Sequence, residues 1–309
     1  MAEQDLFSAA RRLPSVGIVL MCGSVLTAPM IDVFSKLAVA SVPAGEVTAA
    51  RFLFQSLFVL PFVLMRDGPL ISPLPRQNLL HFLRGLLIVV GMTVYTYALK
   101  TVPVADAIAI FFVEPAILTL MSGLFLKEHI GANKIIACAT GFGGSLLVIQ
   151  PSFNQFGWVS LLPVVTAFTV ATFLLLTRIS ARTEEPWSMQ FQSSLWGLLV
   201  TAFLLIGGHF ARIPLYDPVT PDLRTIALLA GLGLSATISG ILSVYAYRAT
   251  PASVLAPLQY LEIVTACIVA FWVFGDFPDL LKWTGIVIIV ASGLFIIWRE
   301  DKQAPVIDH

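Results

Sequence analysis

Ten apolar stretches, near 14–36, 45–65, 79–99, 104–126, 133–149, 157–178, 187–207, 222–247, 252–274 and 281–298, leave this chain little choice of fold. A hydrocarbon core about 30 Å thick is crossed by about 20 apolar residues of helix, which bonds all its backbone polar groups internally. Between the stretches stand ordinary helix breakers: Pro43 and Gly45, Gly68 to Pro75, Pro103, Gly131, Pro151, Pro186, Pro214 to Pro221, Pro251 and Pro278. The expected fold is therefore all-α and integral to the membrane, with ten transmembrane helices. Charged residues make up 12% of the chain, about half the share usual in soluble domains, and mean hydropathy is +0.90.

Several function classes are excluded at this stage. Eighteen basic residues balance 18 acidic ones, so no charged face for nucleic acid is expected. Cys22, Cys138 and Cys267 all fall within apolar stretches, with no C-x-x-C spacing; they read as small packing residues. His81, His129, His209 and His309 are expected in loops, at helix ends or in the tail, without metal-ligand spacing. There is no phosphate-binding G-x-x-x-x-G-K-[ST], no G-x-S-x-G and no H-E-x-x-H. No cofactor is called for. Arg11-Arg12 before an apolar run resembles the start of a secretory signal, but the run continues into Asp32 and Lys36 without a small-residue cleavage site. It is read as the first span.

Cytoplasmic loops carry the excess of Lys and Arg. With the N-terminus inside, twelve basic residues fall at inner ends and six at outer ends. Both short tails, 1–13 and 300–309, are thus expected in the cytoplasm.

The chain also repeats itself. Tyr97-Ala98-Leu99-Lys100-Thr101-Val102-Pro103 aligns without a gap on Tyr245-Ala246-Tyr247-Arg248-Ala249-Thr250-Pro251, at an offset of 148 residues. The same offset brings Glu114 onto Glu262, Glu128 onto Asp276 and Lys134 onto Lys282. Each half, 14–150 and 157–299, holds five spans, so the second must enter the membrane from the opposite side. Inverted repeats of this kind build secondary transporters, with a binding site near the midplane where the halves meet.

Glu114 and Glu262 are the leading candidates for that site. Each stands eleven residues after a proline, about 16 Å along a helix, and a carboxylate at such depth costs several kcal/mol unless it faces a cavity or a partner. They suit a cationic ligand group or a coupled proton; the alternative is a structural carboxyl bonded between helices. Pro115 and Pro257 loosen the backbone beside them. Tyr95, Tyr97, Phe111, Phe112, Trp196, Tyr245, Tyr247 and Tyr260 lie on the same central spans and suit stacking on a planar or cationic ligand, or plain packing. Ser239 belongs to a stripe with Gly231, Ser235 and Ser243 that reads first as close helix packing and second as cavity lining. Asp32 and Lys36, one turn apart, form a candidate ion pair or gate. Glu46, Arg51 and Arg84 open the second and third spans and are further gate candidates. Asp276 and Asp279 have a D-x-x-D spacing, but no second acidic cluster supports an enzyme.

Ala50-Arg51-Phe52, Arg84-Gly85 and Leu126-Lys127-Glu128, set in ten spans and two repeats, resemble the drug/metabolite transporter superfamily, EamA type. Asp32-Val33-Phe34-Ser35-Lys36, Arg84-Gly85-Leu86-Leu87, Gly91-Met92-Thr93 and Tyr260-Leu261-Glu262 with Phe277-Pro278-Asp279 are most similar to the S-adenosylmethionine uptake transporters within it. Glu114 departs from that subgroup, where the resemblance implies an apolar residue. The resemblance implies a ten-helix basket with a central cavity, alternating access and a small-molecule substrate, in a bacterial-type inner membrane. Riboflavin, amino-acid and drug carriers share the architecture, so the fold does not choose among them. Proton coupling and exchange both remain open, as do monomer and homodimer. The readings from other classes are a membrane-embedded enzyme and a non-transporting sensor or assembly subunit.

Overall fold

The computed structural model of the chain describes residues 14–66, 68–98, 110–128, 130–149, 159, 161–265, 268 and 280–303, and among these its regular structure is helical, with no strand. We number the helices α1 (Pro14–Ala38), α2 (Ala44–Met65), α3 (Pro75–Ala98), α4 (Glu114–Leu126), α5 (Ala132–Ile149), α6 (Leu162–Ala181), α7 (Pro186–Phe210), α8 (Leu223–Ala249), α9 (Ala252–Leu255) and α10 (Leu280–Gln303). Among the described residues, α1, α2, α3, α6, α7 and α8 are long and apolar enough to cross a membrane, and α4, α5 and α10 contribute shorter apolar helices. The bundle turns Leu26, Leu57, Leu124 and Phe203 outward, as a lipid-facing surface requires.

The ninth span departs from expectation. A single helix over 252–274 was the reading; instead α9 stops at Leu255, a 3-10 stretch follows over Ala256–Tyr260, and helix resumes at 261–265. Pro257 explains the break, because it lacks the N–H that would continue the α ladder. Glu114 likewise does not sit mid-helix. It opens α4 directly after the turn at Phe112 and Val113, with Pro115 in the first helical turn, where a missing N–H costs least. The backbone is thus irregular just before both repeat-related carboxylates. His81 also differs from its reading as a helix-end residue: it lies in the second turn of α3 and is fully buried.

Packing follows the repeat. α1 lies along α8 as α6 lies along α3, and α2 meets α8 as α7 meets α3. The remaining two large interfaces, α2 with α7 and α5 with α10, join helices that exchange with each other. Individual residues obey the same rule. Gly91 and Ser239 are 148 apart (239 − 91); the Gly91 carbonyl accepts from Thr166 of α6 at 3.2 Å, and the Ser239 carbonyl accepts from Ser24 of α1 at 2.9 Å. Gly85 and Gly233, also 148 apart, each let a neighbouring backbone in: a Cβ on Gly85 would stand 2.7 Å from the Gly197 nitrogen, and one on Gly233 3.0 Å from the Gln55 nitrogen. Where α5 crosses α10, Ser292 donates to the Ala137 carbonyl at 2.8 Å and Gly285 packs on the Gly144 carbonyl. Exchange of the halves turns one of these contacts into the other.

Candidate functional site

The two backbone irregularities bring one polar cluster into the bundle interior. Glu114, only 2% exposed, is at its centre. The Gln259 amide, from the 3-10 stretch of the ninth span, donates to the Tyr247 hydroxyl at 3.5 Å. Tyr247 and Tyr260 are fully buried. Glu114 Oε1 and the Tyr260 hydroxyl are sealed from solvent with no hydrogen-bond partner among the described residues. Such orphaned buried groups are uncommon and ask for an explanation. Among the described residues, no cationic side chain forms a salt bridge with Glu114.

Four aromatic rings form a run that includes Phe112, two residues before Glu114. Tyr95 meets Phe111 edge-on at 6.1 Å between centroids, Phe111 meets Phe112 at 5.8 Å, and Phe112 meets Tyr260 at 6.0 Å. Aromatic faces carry negative quadrupole potential, so they favour a cation or a planar ring nearby. An acid without a cation beside such rings is suited to bind a positively charged organic group.

The structure therefore brings together Glu114, Tyr95, Phe111, Phe112 and Tyr260. Glu262 follows in the resumed helix, half-buried two residues beyond Tyr260. Two other candidates stand elsewhere. Trp196 packs edge-on against Phe82 at 5.5 Å, in a surface cleft with Leu70, Ile71 and Gln192. Ser239 is engaged with Ser24, hydroxyl to hydroxyl at 3.0 Å, at the α1–α8 crossing. Tyr247 was among the aromatic candidates from sequence, whereas Gln259 was not singled out. Its signal was present only as adjacency: Gln259 precedes Tyr260, and it is the polar member of an otherwise apolar stretch beside Pro257.

The gate candidates separate as well. Asp32 and Lys36 lie one turn apart on α1, and their side chains fall outside the described residues, as do Asp276 and Asp279. Glu46 accepts from the Val219 backbone N–H at 2.9 Å. Arg51 places Nη1 3.3 Å from the Met92 sulfur and its guanidinium 5.8 Å from the Phe52 ring. Arg84 is fully buried and donates to Thr177, Ser193 and the Met189 carbonyl, with Phe173 stacked at 5.1 Å. His81 stands beside it, 2.6 Å from Glu184.

A second polar junction closes the end of the bundle beyond Tyr247. Lys127 adopts a left-handed conformation (φ 54°) at the close of α4 and turns Glu128 back toward α6 and α9. The Glu128 carboxylate then accepts from Arg178 at 3.3 Å and from the backbone N–H of Ser253 at 3.1 Å, with Arg182 at 3.6 Å. Arg178 donates in turn to the Tyr247 carbonyl. Thr250, extended before Pro251, sets the sharp corner that exposes these N–H groups.

This arrangement, two interlocked sets of five helices with a buried acid where they meet, defines a membrane carrier. The chain belongs to the EamA-like transporter family, whose model matches residues 15–150 and 157–298. It is 32% identical to an S-adenosylmethionine uptake transporter of Rickettsia bellii over 93% of this chain and 95% of that one. It is 30% identical to a riboflavin transporter of Vibrio cholerae over 85% of each. A crystal structure covering 96% of this chain and 99% of its own shares the fold, with a TM-score of 0.75 at 18% identity.

Proposed function

We propose that this protein takes up S-adenosylmethionine, or a closely related cationic metabolite, across the bacterial inner membrane by alternating access between two repeats, 14–150 and 157–299, with both termini in the cytoplasm. The observation that carries the reading is Glu114: a buried carboxylate at the meeting of the repeats, with one oxygen unpartnered and a run of aromatic rings alongside. A sulfonium or ammonium neutralises that acid, and an adenine ring suits the Tyr95 to Tyr260 run. The relatives named for S-adenosylmethionine uptake support it. Riboflavin is the second reading, favoured by the same rings and by the riboflavin-named relatives; its uncharged ring system leaves the acid without a counter-charge.

Uptake by purified protein in liposomes, comparing radiolabelled S-adenosylmethionine with riboflavin, tests the choice. Glu114→Gln should cut S-adenosylmethionine uptake at least about tenfold, the loss of one charge-assisted contact. Undiminished uptake with Glu114→Gln and Glu262→Gln together would refute the role of both acids.

A further inference from the structure

Charged contacts between the two repeats close one end of the bundle. It is the end where α1 begins, the cytoplasmic one in the orientation proposed above. Two residues of the first repeat hold Ser253, in the first turn of α9. Glu128, at the close of α4, accepts from its backbone N–H at 3.1 Å, and Lys134 of α5 donates to its hydroxyl at 3.2 Å. Glu128 also accepts from Arg178 of α6 at 3.3 Å, and Arg178 donates to the Tyr247 and Arg248 carbonyls of α8. From the first repeat, α1 presses on the same corner through Gly17, where a Cβ would stand 3.0 Å from the Ala246 carbonyl oxygen. Thr250, Ala252 and Ser253 are fully buried there.

We infer that Glu128 is the latch of a gate at this end: it holds the α8–α9 corner against α4 and α5 while the end is shut, and releases it when the carrier opens here. The inference rests on the reading of the protein as an alternating carrier. Contacts elsewhere show the contrast. At the α2–α7 crossing, Gln192 of α7 holds the backbone of Pro69 and Ser72, and Glu46 of α2 holds that of Val219. That crossing exchanges with itself, so its loop contacts persist when the halves trade conformations. The Glu128 junction instead joins α4 to α6, which the trade turns into a contact of α1 with the ninth span. It must be broken and remade. The chemistry suits that duty. Glu128 and Arg178 are 6% and 8% exposed, and a nearly dry ion pair gains little over an apolar contact, because both charges give up hydration. Opening returns water to both, so parting them costs less than their attraction alone implies. Release also reaches inward: Arg178 fixes the Tyr247 carbonyl, and the Tyr247 hydroxyl accepts from Gln259, beside Tyr260.

Two measurements on the full-length protein decide this. The first needs no substrate: labelling of Thr250→Cys by N-ethylmaleimide, read by peptide mass spectrometry, reports separation of the corner from α1. Glu128→Gln keeps the shape of the side chain and can still accept from Ser253, but it loses the charge. Added to Thr250→Cys, it should raise the labelling rate at least about fivefold, the scale of one charge-assisted bond. Ser56→Cys, buried at the α2–α7 crossing against Ser194, should label no faster in the same background. An unchanged rate at position 250, or an equal rise at both positions, would overturn the latch. The second measurement is uptake of radiolabelled S-adenosylmethionine in liposomes by the double variant Glu128→Cys, Ser253→Cys. Bridging the two thiols with a short bis-methanethiosulfonate should stop uptake, and reductant should restore it. Undiminished uptake after bridging, with Glu114→Gln still impaired, would overturn the latch and leave the parent reading standing. Should wild type take up neither S-adenosylmethionine nor riboflavin, the parent reading fails, while the labelling contrast still decides whether Glu128 holds this end shut.

Discussion

The rings of Phe112 and Tyr260 meet at 6.0 Å, tilted by 31°, and the two residues hold equivalent places 148 apart (260 − 112) in the two halves of the chain. Equivalent residues can touch only near the axis that relates the halves. Their contact therefore marks that axis, and Glu114, two residues from Phe112, lies against it. The pair is asymmetric in one atom: Tyr260 carries a hydroxyl that Phe112 lacks, and that hydroxyl is buried without a partner among the described residues.

Removing that oxygen separates packing from binding. Tyr260→Phe should leave the melting temperature of the detergent-solubilised protein unchanged or slightly higher, because an unsatisfied buried hydroxyl stabilises nothing. Tyr260→Ala, which empties the ring's volume, should cost about 3–5 kcal/mol. If Tyr260→Phe loses uptake while keeping its melting temperature, the hydroxyl meets ligand.

Gly85 and Gly233 should respond alike to substitution despite lying in different halves. An added Cβ would stand 2.7 Å from the Gly197 nitrogen in one case and 2.3 Å from the Phe54 Cβ in the other. Each Gly→Ala change should lower thermal stability by about 1–3 kcal/mol through overpacking. A tolerated Gly85→Ala beside a damaging Gly233→Ala would show that the two contacts differ in tightness.

Glu128 and Arg178 are 6% and 8% exposed and share one junction. Removing either takes one charge-assisted bond from the other, which keeps its remaining partners, Arg182 and the Ser253 N–H for Glu128 and the Tyr247 carbonyl for Arg178, so Glu128→Ala and Arg178→Ala should each cost about 2–3 kcal/mol. The double variant should fall short of their sum by about 1–3 kcal/mol. Thermal melts of the four chains complete the cycle; strict additivity would mean that the two side chains are not coupled.

Asp222 caps α8, accepting from the Thr225 backbone N–H at 2.9 Å. The hydrogen bonds from Thr225 hold its carboxyl below the usual aspartate range. A depressed value means that the capping contribution is present at neutral pH and is lost as acidification carries the carboxyl through its folded-state titration. Asp222→Ala should therefore lower the melting temperature at neutral pH and make little difference in strong acid. Asp222→Asn, itself a good cap, should remove most of the pH dependence while keeping much of the stability.

Much of this was legible in the residues before any coordinate. The constant offset identified Glu114 and Glu262 as mates, and the rings around Glu114 were visible as a cluster of aromatics on central spans. The backbone breaks were signalled only as Pro115 and Pro257, whose effect depends on what packs beside them: Pro115 is absorbed into a first turn, whereas Pro257 tightens a whole stretch. Arg84 read as a gate candidate opening the third span, yet it is fully buried, because Thr177, Ser193 and the Met189 carbonyl converge from two other helices. Gln259 was hidden for the same reason. An amide has no charge to mark it, and its bond to the Tyr247 hydroxyl depends on what stands across the interior, which spacing along one helix does not encode.

The crossing of α5 and α10, where Ala137 takes Ser292 as Gly144 takes Gly285, maps onto itself when the two halves trade conformations. The α1–α8 and α3–α6 contacts instead change places. A carrier that alternated by such a trade would keep the α5–α10 and α2–α7 crossings in both states and remake the α1–α8 and α3–α6 contacts, so the small residues at Gly144 and Gly285 would serve as a fulcrum about which the long helices swing.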